Sequence, residues 1–251
     1  LFAEYCGTKY AIATNSGATS LEVMLRASNI EGKKFLVPTQ TFVASVSAIV
    51  RSNNIPVITD IDPDTQCLNL DIIKANVDED TAGVMLVHMA GMLPPDYKDI
   101  KQYCDDNNLL LVEDASHAVG ATIDGVKAGN LGFAAAFSLF ATKIITSGEG
   151  GMITTNNEGF AERCRVLRNH GCVRNTAIVP GLDYGVSCSV ASSNYRMPEM
   201  SAAIGITQIK RADEFVAKRN LLADRYKERL KDTDIVVPDI PENITMTWWQ
   251  Y

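Results

Sequence analysis

A single lysine, Lys143, interrupts the stretch FSLFATKIITSGEGG at positions 137–151. The pattern predicts a buried strand that ends at this lysine, followed by a turn rich in glycine. An amine at that point can act as a nucleophile toward a carbonyl compound. It can equally be a surface residue whose stem covers apolar surface while its charged end stays in water. The lysine alone does not decide between these two roles, so the choice depends on what the fold places beside it.

Two acids and a histidine follow a second apolar run, LLLVEDASHAVGA, at 109–121. Glu113 and Asp114 stand at the predicted end of a central strand, and His117 comes three residues later. A carboxylate buried there is costly unless it meets a cation or hydrogen-bond donors. Asp114 can cap the following turn with His117 as its partner, or both can serve a ligand. His88, in LVHMAG, stands at another predicted strand end and is expected to line the same region.

A turn of small residues, TNSGATSLEV at 14–23, leads from the first predicted strand into a helix. The backbone amides at the start of such a helix point outward, and the helix dipole favours an anion there. This arrangement predicts a phosphate cradle; the alternative is ordinary capping of the helix by Ser16 or Thr19. The turn matches neither the G-x-G-x-x-G fingerprint nor a P-loop, which weakens dinucleotide and nucleoside-triphosphate interpretations.

Strand-like and helix-like segments alternate along the first half of the chain, from KYAIAT to LLLVED. The strands are apolar throughout rather than alternately polar, which is typical of parallel strands covered on both faces. The sequence therefore predicts an α/β fold of three layers, α/β/α, with a mostly parallel central sheet. The segments AAFSLF and GGMITTN are expected to pair as neighbouring strands on either side of the Lys143 turn.

The organisation of the rest of the chain follows from residues 197–231, where apolar residues recur at helical spacing. This predicts one long helix, or two in line, that leads out of a large α/β domain at residues 1–220. Residues 221–251 are then the beginning of a small C-terminal α/β domain. Both termini interrupt predicted elements, which indicates a fragment of a longer protein. The polar stretch 172–193 is expected to be a loop over the substrate.

The composition argues against several classes of partner. The chain has 251 residues, 46% of them hydrophobic, and a net charge of −7 at pH 7. That acidity argues against a nucleic-acid backbone or an anionic membrane as the main partner, and no apolar run is long enough to span a bilayer. Six scattered cysteines form no C-x-x-C pair. They predict free buried thiols in a reducing, cytoplasmic compartment rather than disulfides or a metal site.

The candidate residues become informative as a set, because ligands of such sheets bind beyond the carboxyl ends of the strands. A buried acid, a phosphate cradle and a lysine would meet at that edge. Pyridoxal phosphate requires these three groups: a lysine for its Schiff base, an acid for its pyridinium nitrogen and donors for its phosphate. The sequence therefore favours a pyridoxal-phosphate site.

Three stretches in order, LLLVEDASHAVGA, FSLFATKIITSGEGGMITT and NYRMPEMSAAIG, resemble the DegT/StrS family of sugar aminotransferases. The resemblance runs from about residue 1 to residue 230. It implies fold type I and transfer of an amino group from glutamate or glutamine to a keto sugar, commonly one linked to a nucleotide. A few members act on aminocyclitols or related rings instead.

The same resemblance implies a role for each matched position. Lys143 corresponds to the Schiff-base lysine that also moves the proton, Asp114 to the partner of the pyridinium nitrogen, and His117 to a residue near the phenolic oxygen. The remaining matches are contacts to the cofactor. Gly17, Ala18 and Ser138 correspond to phosphate contacts, Phe42 to the side chain that stacks on the ring, and Asn194 to a residue that reaches the phosphate of the neighbouring subunit. The Asn194 match implies a homodimer with shared active sites. Phe42 has a second interpretation, as core of an amphipathic helix.

Two interpretations from other classes remain open from the sequence. One is a non-catalytic pyridoxal-phosphate sensor, although no DNA-binding helix or basic arm is visible. Another is an NAD- or nucleotide-binding α/β protein, which predicts an acid at the end of the second strand where KFLVP has proline. Relatives with histidine at the lysine position perform a deoxygenation, and the presence of Lys143 favours transamination.

Overall fold

The computed structural model describes residues 1–174 and 186–251. Its centre is a sheet of seven strands in the order β1-β9-β8-β5-β4-β2-β3. The strands are β1 Tyr10–Thr14, β2 Lys34–Pro38, β3 Ile55–Thr59, β4 Thr81–Val87, β5 Leu110–Asp114, β8 Ala134–Ser138 and β9 Gly151–Thr155. Strands β3, β2, β4, β5 and β8 run parallel, and β9 pairs antiparallel with both β8 and β1. The prediction of a mostly parallel sheet is confirmed.

Helices cover both faces of this sheet. They are α1 Phe2–Cys6, α2 Gly17–Ala27, α3 Val43–Arg51, α4 Leu70–Asn76, α5 Tyr97–Asp106, α6 Glu158–Arg168, α7 Glu199–Ile209 and α8 Ala212–Leu230. Helices α2, α3 and α6 pack on one face with Met85 and Val112. Helices α4 and α5 pack on the other with Val84 and Leu111. The inner strands β2, β4, β5 and β8 are largely buried because both of their sides are covered, which is the three-layer arrangement expected. The edge strand β3 leaves Ile55 and Ile58 exposed.

Short strands complete the fold. Strands β6 (Thr122–Ile123) and β7 (Val126–Lys127) form a small sheet with β12 (Ile244–Thr245), and β10 (Cys172–Arg174) pairs with β11 (Val186–Cys188). The C-terminal segment therefore returns to the large α/β layer and pairs antiparallel with β6. Within the described ranges, no helix combines the length and apolar character needed to cross a membrane.

The lysine lies elsewhere than the sequence predicts. Strand β8 ends at Ser138, so Lys143 lies in the loop between β8 and β9 rather than at the end of a strand. The loop is closed at its base, where the amide of Leu139 donates to Gly150 and the amide of Ser147 donates back to Leu139. The apolar residues that suggested a longer strand are core residues of the loop itself, since Ile144 and Ile145 are buried.

Two further predictions, on the helical stretch 197–231 and on the cysteines, can be compared with the structure. The helical stretch is two helices, α7 and α8, which meet at a break near residue 211. The prediction of free buried thiols is confirmed for Cys6, Cys67, Cys104 and Cys164 and wrong for Cys172 and Cys188, which form a disulfide. Strands β10 and β11 place those two cysteines opposite each other, a pairing that spacing alone does not reveal. Half of the predicted substrate loop at 172–193 lies outside the described residues, and its described part includes β10 and β11.

Candidate active site

A cavity of about 560 Å³ opens at the carboxyl ends of β1, β4, β5 and β8. The sequence candidates on its wall are Gly17, Ala18, Phe42, His88, Asp114, His117, Ser138 and Lys143. Each is the last residue of a strand or lies in the loop or helix that follows a strand, so the parallel topology brings distant stretches of chain to one edge. Asn194 does not line this cavity.

Asp114 ends β5 with its side chain on the same face as α3. Its carboxylate accepts a hydrogen bond from the Ser45 hydroxyl at 2.6 Å and from the Ser116 amide at 3.1 Å. Ser45 is fully buried on α3, and its hydroxyl also lies 2.6 Å from that of Thr41. The sequence analysis did not identify Ser45, because its contact with Asp114 joins two distant elements.

His117 lies in the turn after β5 and is buried. The pKa of its imidazole is lowered to about 4, chiefly by burial and then by the Lys143 ammonium, while the Asp114 carboxylate opposes both effects. The ring is therefore neutral near pH 7. A neutral imidazole presents one donor and one acceptor to whatever occupies the cavity.

Lys143 reaches the cavity from the β8–β9 loop. Partial burial lowers the pKa of its amine below the ordinary value for lysine, and the nearby Asp114 carboxylate acts in the opposite direction. A lower pKa increases the fraction of free amine, which is the nucleophilic form. Its surroundings therefore favour the nucleophilic role over a simple surface role.

Helix α2 begins at the cavity, and its first turn is closed by a capping box. The Ser16 side chain accepts from the Thr19 amide, and the Thr19 hydroxyl accepts from the Ser16 amide. In the described part of the chain, no acceptor meets the amides of Gly17 and Ala18. A side chain at position 17 would lie 2.6 Å from the Ser138 Cβ, so glycine allows α2 and β8 to meet. Capping by Ser16 and Thr19 therefore leaves the amides of Gly17 and Ala18 free at the helix start.

Phe42 and Asn194 lie in different surroundings. Phe42 is the residue before α3 and is 68% exposed on the cavity wall, so its interpretation as helix core is wrong. Asn194 is exposed on this chain and forms an isolated antiparallel β-bridge with Asn169. The Asn194 carbonyl accepts from the Asn15 side chain, which ties this segment to the end of β1.

Glu113 points to the other face of β5 from Asp114. Its carboxylate is fully buried and is satisfied by four donors: the amides of Gly129, Leu131 and Gly132 at 2.8–2.9 Å, and His88 Nε2 at 2.9 Å. His88 Nδ1, by contrast, has no partner among the described residues. The adjacency of Glu113 and Asp114 in the sequence does not show which of the two carboxylates is satisfied by donors of the protein itself.

Trp249 also lines the cavity, and no sequence motif predicted this position. Its indole stacks on the His117 imidazole, with ring centres 3.8 Å apart and planes 11° apart. The only local signal was the aromatic segment TWWQ at 247–250, far in sequence from the other candidates. Such a contact depends on the return of the C-terminal segment to β6, which no local pattern predicts.

A sequence model of the DegT/DnrJ/EryC1/StrS aminotransferase family matches residues 1–251. The chain therefore belongs to this family, as its motifs predict, and the cofactor of the family is pyridoxal phosphate.

Individual relatives narrow the comparison. The chain is 38% identical over 253 residues to GDP-perosamine synthase from Caulobacter vibrioides, a match that covers 100% of this chain and 66% of that protein. It superimposes on the X-ray structure of an aminotransferase from Psychrobacter cryohalolentis with a TM-score of 0.90 and 32% identity, over 99% of this chain and 66% of that one.

A third similar structure is E. coli GDP-4-keto-6-deoxy-D-mannose-3-dehydratase, solved with bound hydrated PLP. Its TM-score is 0.89 and its identity 25%, over 99% of this chain and 67% of that one. The chain thus spans about two thirds of the length of these relatives.

Proposed function

We propose that the complete protein is a pyridoxal-phosphate-dependent aminotransferase that converts the carbonyl of a nucleotide-linked keto sugar into an amine. The observation that carries this proposal is the meeting of Lys143, Asp114, His117 and the start of α2 around one cavity. The name of the Caulobacter relative supports a product of the same class, a nucleotide-linked amino sugar.

The residues present fit this cofactor by their own chemistry. The two amides of Gly17 and Ala18 at a helix start suit a phosphate, and the Ser138 hydroxyl lies beside Gly17. Asp114 keeps lone pairs available on a carboxylate that faces the cavity. Phe42 exposes a flat aromatic face on the same wall. Two free amide donors, a carboxylate with free lone pairs and an exposed aromatic ring on one cavity wall are together the groups that this cofactor requires.

When bound, pyridoxal phosphate supplies an aldehyde and an electron-withdrawing ring. Lys143 would hold the aldehyde, and its amine, once a substrate amine displaced it, would move a proton at the substrate carbon. Asp114 would keep a proton on the ring nitrogen, and its contact with Ser45 would fix the carboxylate for that role. His117, neutral near pH 7, offers a hydrogen bond without adding charge.

The finer parts of the proposal concern partners. The amino donor is glutamate or glutamine, and the protein is a homodimer in which Asn194 reaches the cofactor phosphate of the other subunit. The exposed position of Asn194, away from its own cavity, supports this role. Residues 1–220 then form the cofactor-binding domain, and residues 221–251 begin a smaller domain.

The experiment is a visible absorption spectrum of the complete protein loaded with pyridoxal phosphate. Lys143→Ala is compared with Lys101→Ala, a control whose lysine is 48% exposed on α5. We expect a visible band in the wild type and in the control, and none in Lys143→Ala. Glutamate or glutamine should remove the band, and a nucleotide-linked keto sugar should restore it while mass spectrometry detects the amine.

The other outcomes separate the alternatives. A band that neither donor changes would support a non-catalytic sensor of the same fold. Turnover of a cyclitol ketone but not of keto sugars would place the protein with the aminocyclitol enzymes. Loss of a hydroxyl from the sugar without gain of nitrogen would indicate deoxygenation. No band in a folded, loaded protein would overturn the cofactor and every role assigned here.

A further inference from the structure

The C-terminal segment 244–250 is held across the candidate site by bonds that do not involve the Trp249 ring. Strand β12 pairs with β6, and the Thr247 hydroxyl donates to the His117 carbonyl at 2.6 Å. The Trp249 amide donates to the Ala90 carbonyl at 2.9 Å. A side chain at Gly91 would lie 1.8 Å from the Thr247 hydroxyl, so glycine there admits the segment. The backbone therefore fixes where residue 249 stands.

The Trp249 indole makes three contacts with groups of the site. Its face lies 3.8 Å from the His117 ring and nearly parallel to it. Its Nε1–H donates to the Thr142 carbonyl at 2.9 Å, one residue before the lysine. The Lys143 ammonium lies 4.5 Å from the ring centre, within the range of a cation–π contact. One side chain thus contacts the histidine, the lysine loop and the lysine itself.

We propose that Trp249 is a positioning residue of the active site. Its stacked face holds the His117 imidazole in one plane, and its contacts with Thr142 and Lys143 hold the lysine loop against that imidazole. Stacked aromatic contacts are directional, so the ring restricts rotation of the imidazole as well as covering it. The proposal rests on the proposed function for the meaning of His117 and Lys143, whereas the contacts themselves need no cofactor.

Covering the imidazole has a measurable consequence. The charged groups that face His117 are the Lys143 ammonium and the Asp114 carboxylate, while residue 249 carries no charge. Burial is the largest cause of the low pKa of His117. Removal of the indole admits water to one face of the imidazole, and the pKa of His117 then rises toward its ordinary value.

The first experiment uses the complete protein without cofactor. The pKa of His117 is measured by NMR in the wild type, Trp249→Phe, Trp249→Leu and Trp248→Phe, with His117→Gln to identify the signal. We expect Trp249→Leu to raise the pKa by about one unit and Trp249→Phe, which keeps a flat ring, to leave it nearly unchanged. Trp248 stacks on Tyr251 instead, so Trp248→Phe is the matched control and should have no effect.

The second experiment uses the loaded protein and does not depend on Trp249→Leu being folded. Phenylalanine cannot donate to Thr142 and is a weaker cation–π partner than tryptophan. We therefore expect Trp249→Phe to shift the pH midpoint of the visible cofactor band by about half a unit, and Trp248→Phe to leave it in place.

The proposal is overturned if folded Trp249→Leu keeps the wild-type pKa of His117. It is also overturned if Trp248→Phe raises the pKa of His117 as much as Trp249→Leu does, or shifts the midpoint of the visible band as much as Trp249→Phe does. Failure of the proposed function looks different, because the visible band would then be missing from every variant while the pKa of His117 still responded to residue 249.

Discussion

Glu113 and Asp114 are neighbours at the end of β5, yet the sheet sends their carboxylates to opposite faces. Glu113 is fully buried and accepts from three amides of the 129–132 turn and from His88. Asp114 accepts from the Ser45 hydroxyl and one amide, and it faces the cavity. The two acids lie on the same strand and are both buried. They differ in the number of hydrogen bonds that their carboxylates accept from the protein.

This difference teaches how to separate structural from functional acids. An ionised carboxylate can accept about four hydrogen bonds, so Glu113 has no capacity left for a ligand. Its role is to hold the turn 129–132 and the His88 ring against β5. Asp114 retains unused acceptor positions beside a cavity, which is costly unless a further donor arrives. Asp114, the acid with unused acceptor positions, is therefore the one proposed to contact a ligand.

The largest expected effect is that of Asp114→Asn. An amide cannot keep a proton on the cofactor nitrogen, so we expect the rate of amino transfer to fall by about 10³-fold. The free energy of unfolding should fall by only about 1 kcal/mol, since Ser45 can still donate to the amide oxygen and only the Ser116 amide loses its acceptor. Steady-state kinetics and urea titration of the complete protein measure the two quantities. An unchanged rate would remove the distinction between the two acids.

Glu113→Gln should show the opposite pattern. The new amide nitrogen would face donors that need an acceptor, so we expect the free energy of unfolding to fall by about 3 kcal/mol. Urea titration without cofactor measures this loss. Glu162→Gln is the control, because Glu162 is 63% exposed in a surface ion pair and should change stability by less than about 1 kcal/mol. Equal stability of the two variants would contradict the structural role of Glu113.

The smallest effect tests the link between Asp114 and α3. Ser45→Ala removes the 2.6 Å hydrogen bond to the carboxylate and should reduce the rate about tenfold, with the cofactor still bound. Ser52→Ala is the matched control, since the Ser52 hydroxyl donates to the Ile49 carbonyl rather than to an acid. A loss of activity in both variants to the same extent would show that α3 matters only as a scaffold.

The sequence predicts the fold correctly where the local hydrophobic pattern agrees with the burial of the residues in the structure. Apolar strands between amphipathic helices predict a covered parallel sheet, and that topology brings Asp114, Ser138 and the start of α2 to one edge. Motifs at strand ends therefore identified eight of the residues that line the cavity. The exact place of Lys143 was not readable, because buried loop residues such as Ile144 have the same apolar character as strand residues.

Contacts between distant segments explain the other omissions. Ser45 meets Asp114 only after α3 packs on the sheet, and Trp249 meets His117 only after β12 pairs with β6. The disulfide of Cys172 with Cys188 likewise follows from the register of β10 and β11. None of these pairs is close enough in sequence to leave a periodic signal, so a one-dimensional pattern cannot contain them.

The pairing of β1 with β9, in which Tyr10 lies opposite Thr155, also sets an order of events in folding. At about 5–20 residues per second of synthesis, the first strand waits on the order of ten seconds for its partner to be made. Closing so large a loop is slow compared with the formation of local helices. Since Gly17 must then pack on Ser138, the cradle at the start of α2 is completed late. A segment made well before its partner strand is thus among the last to reach its final place.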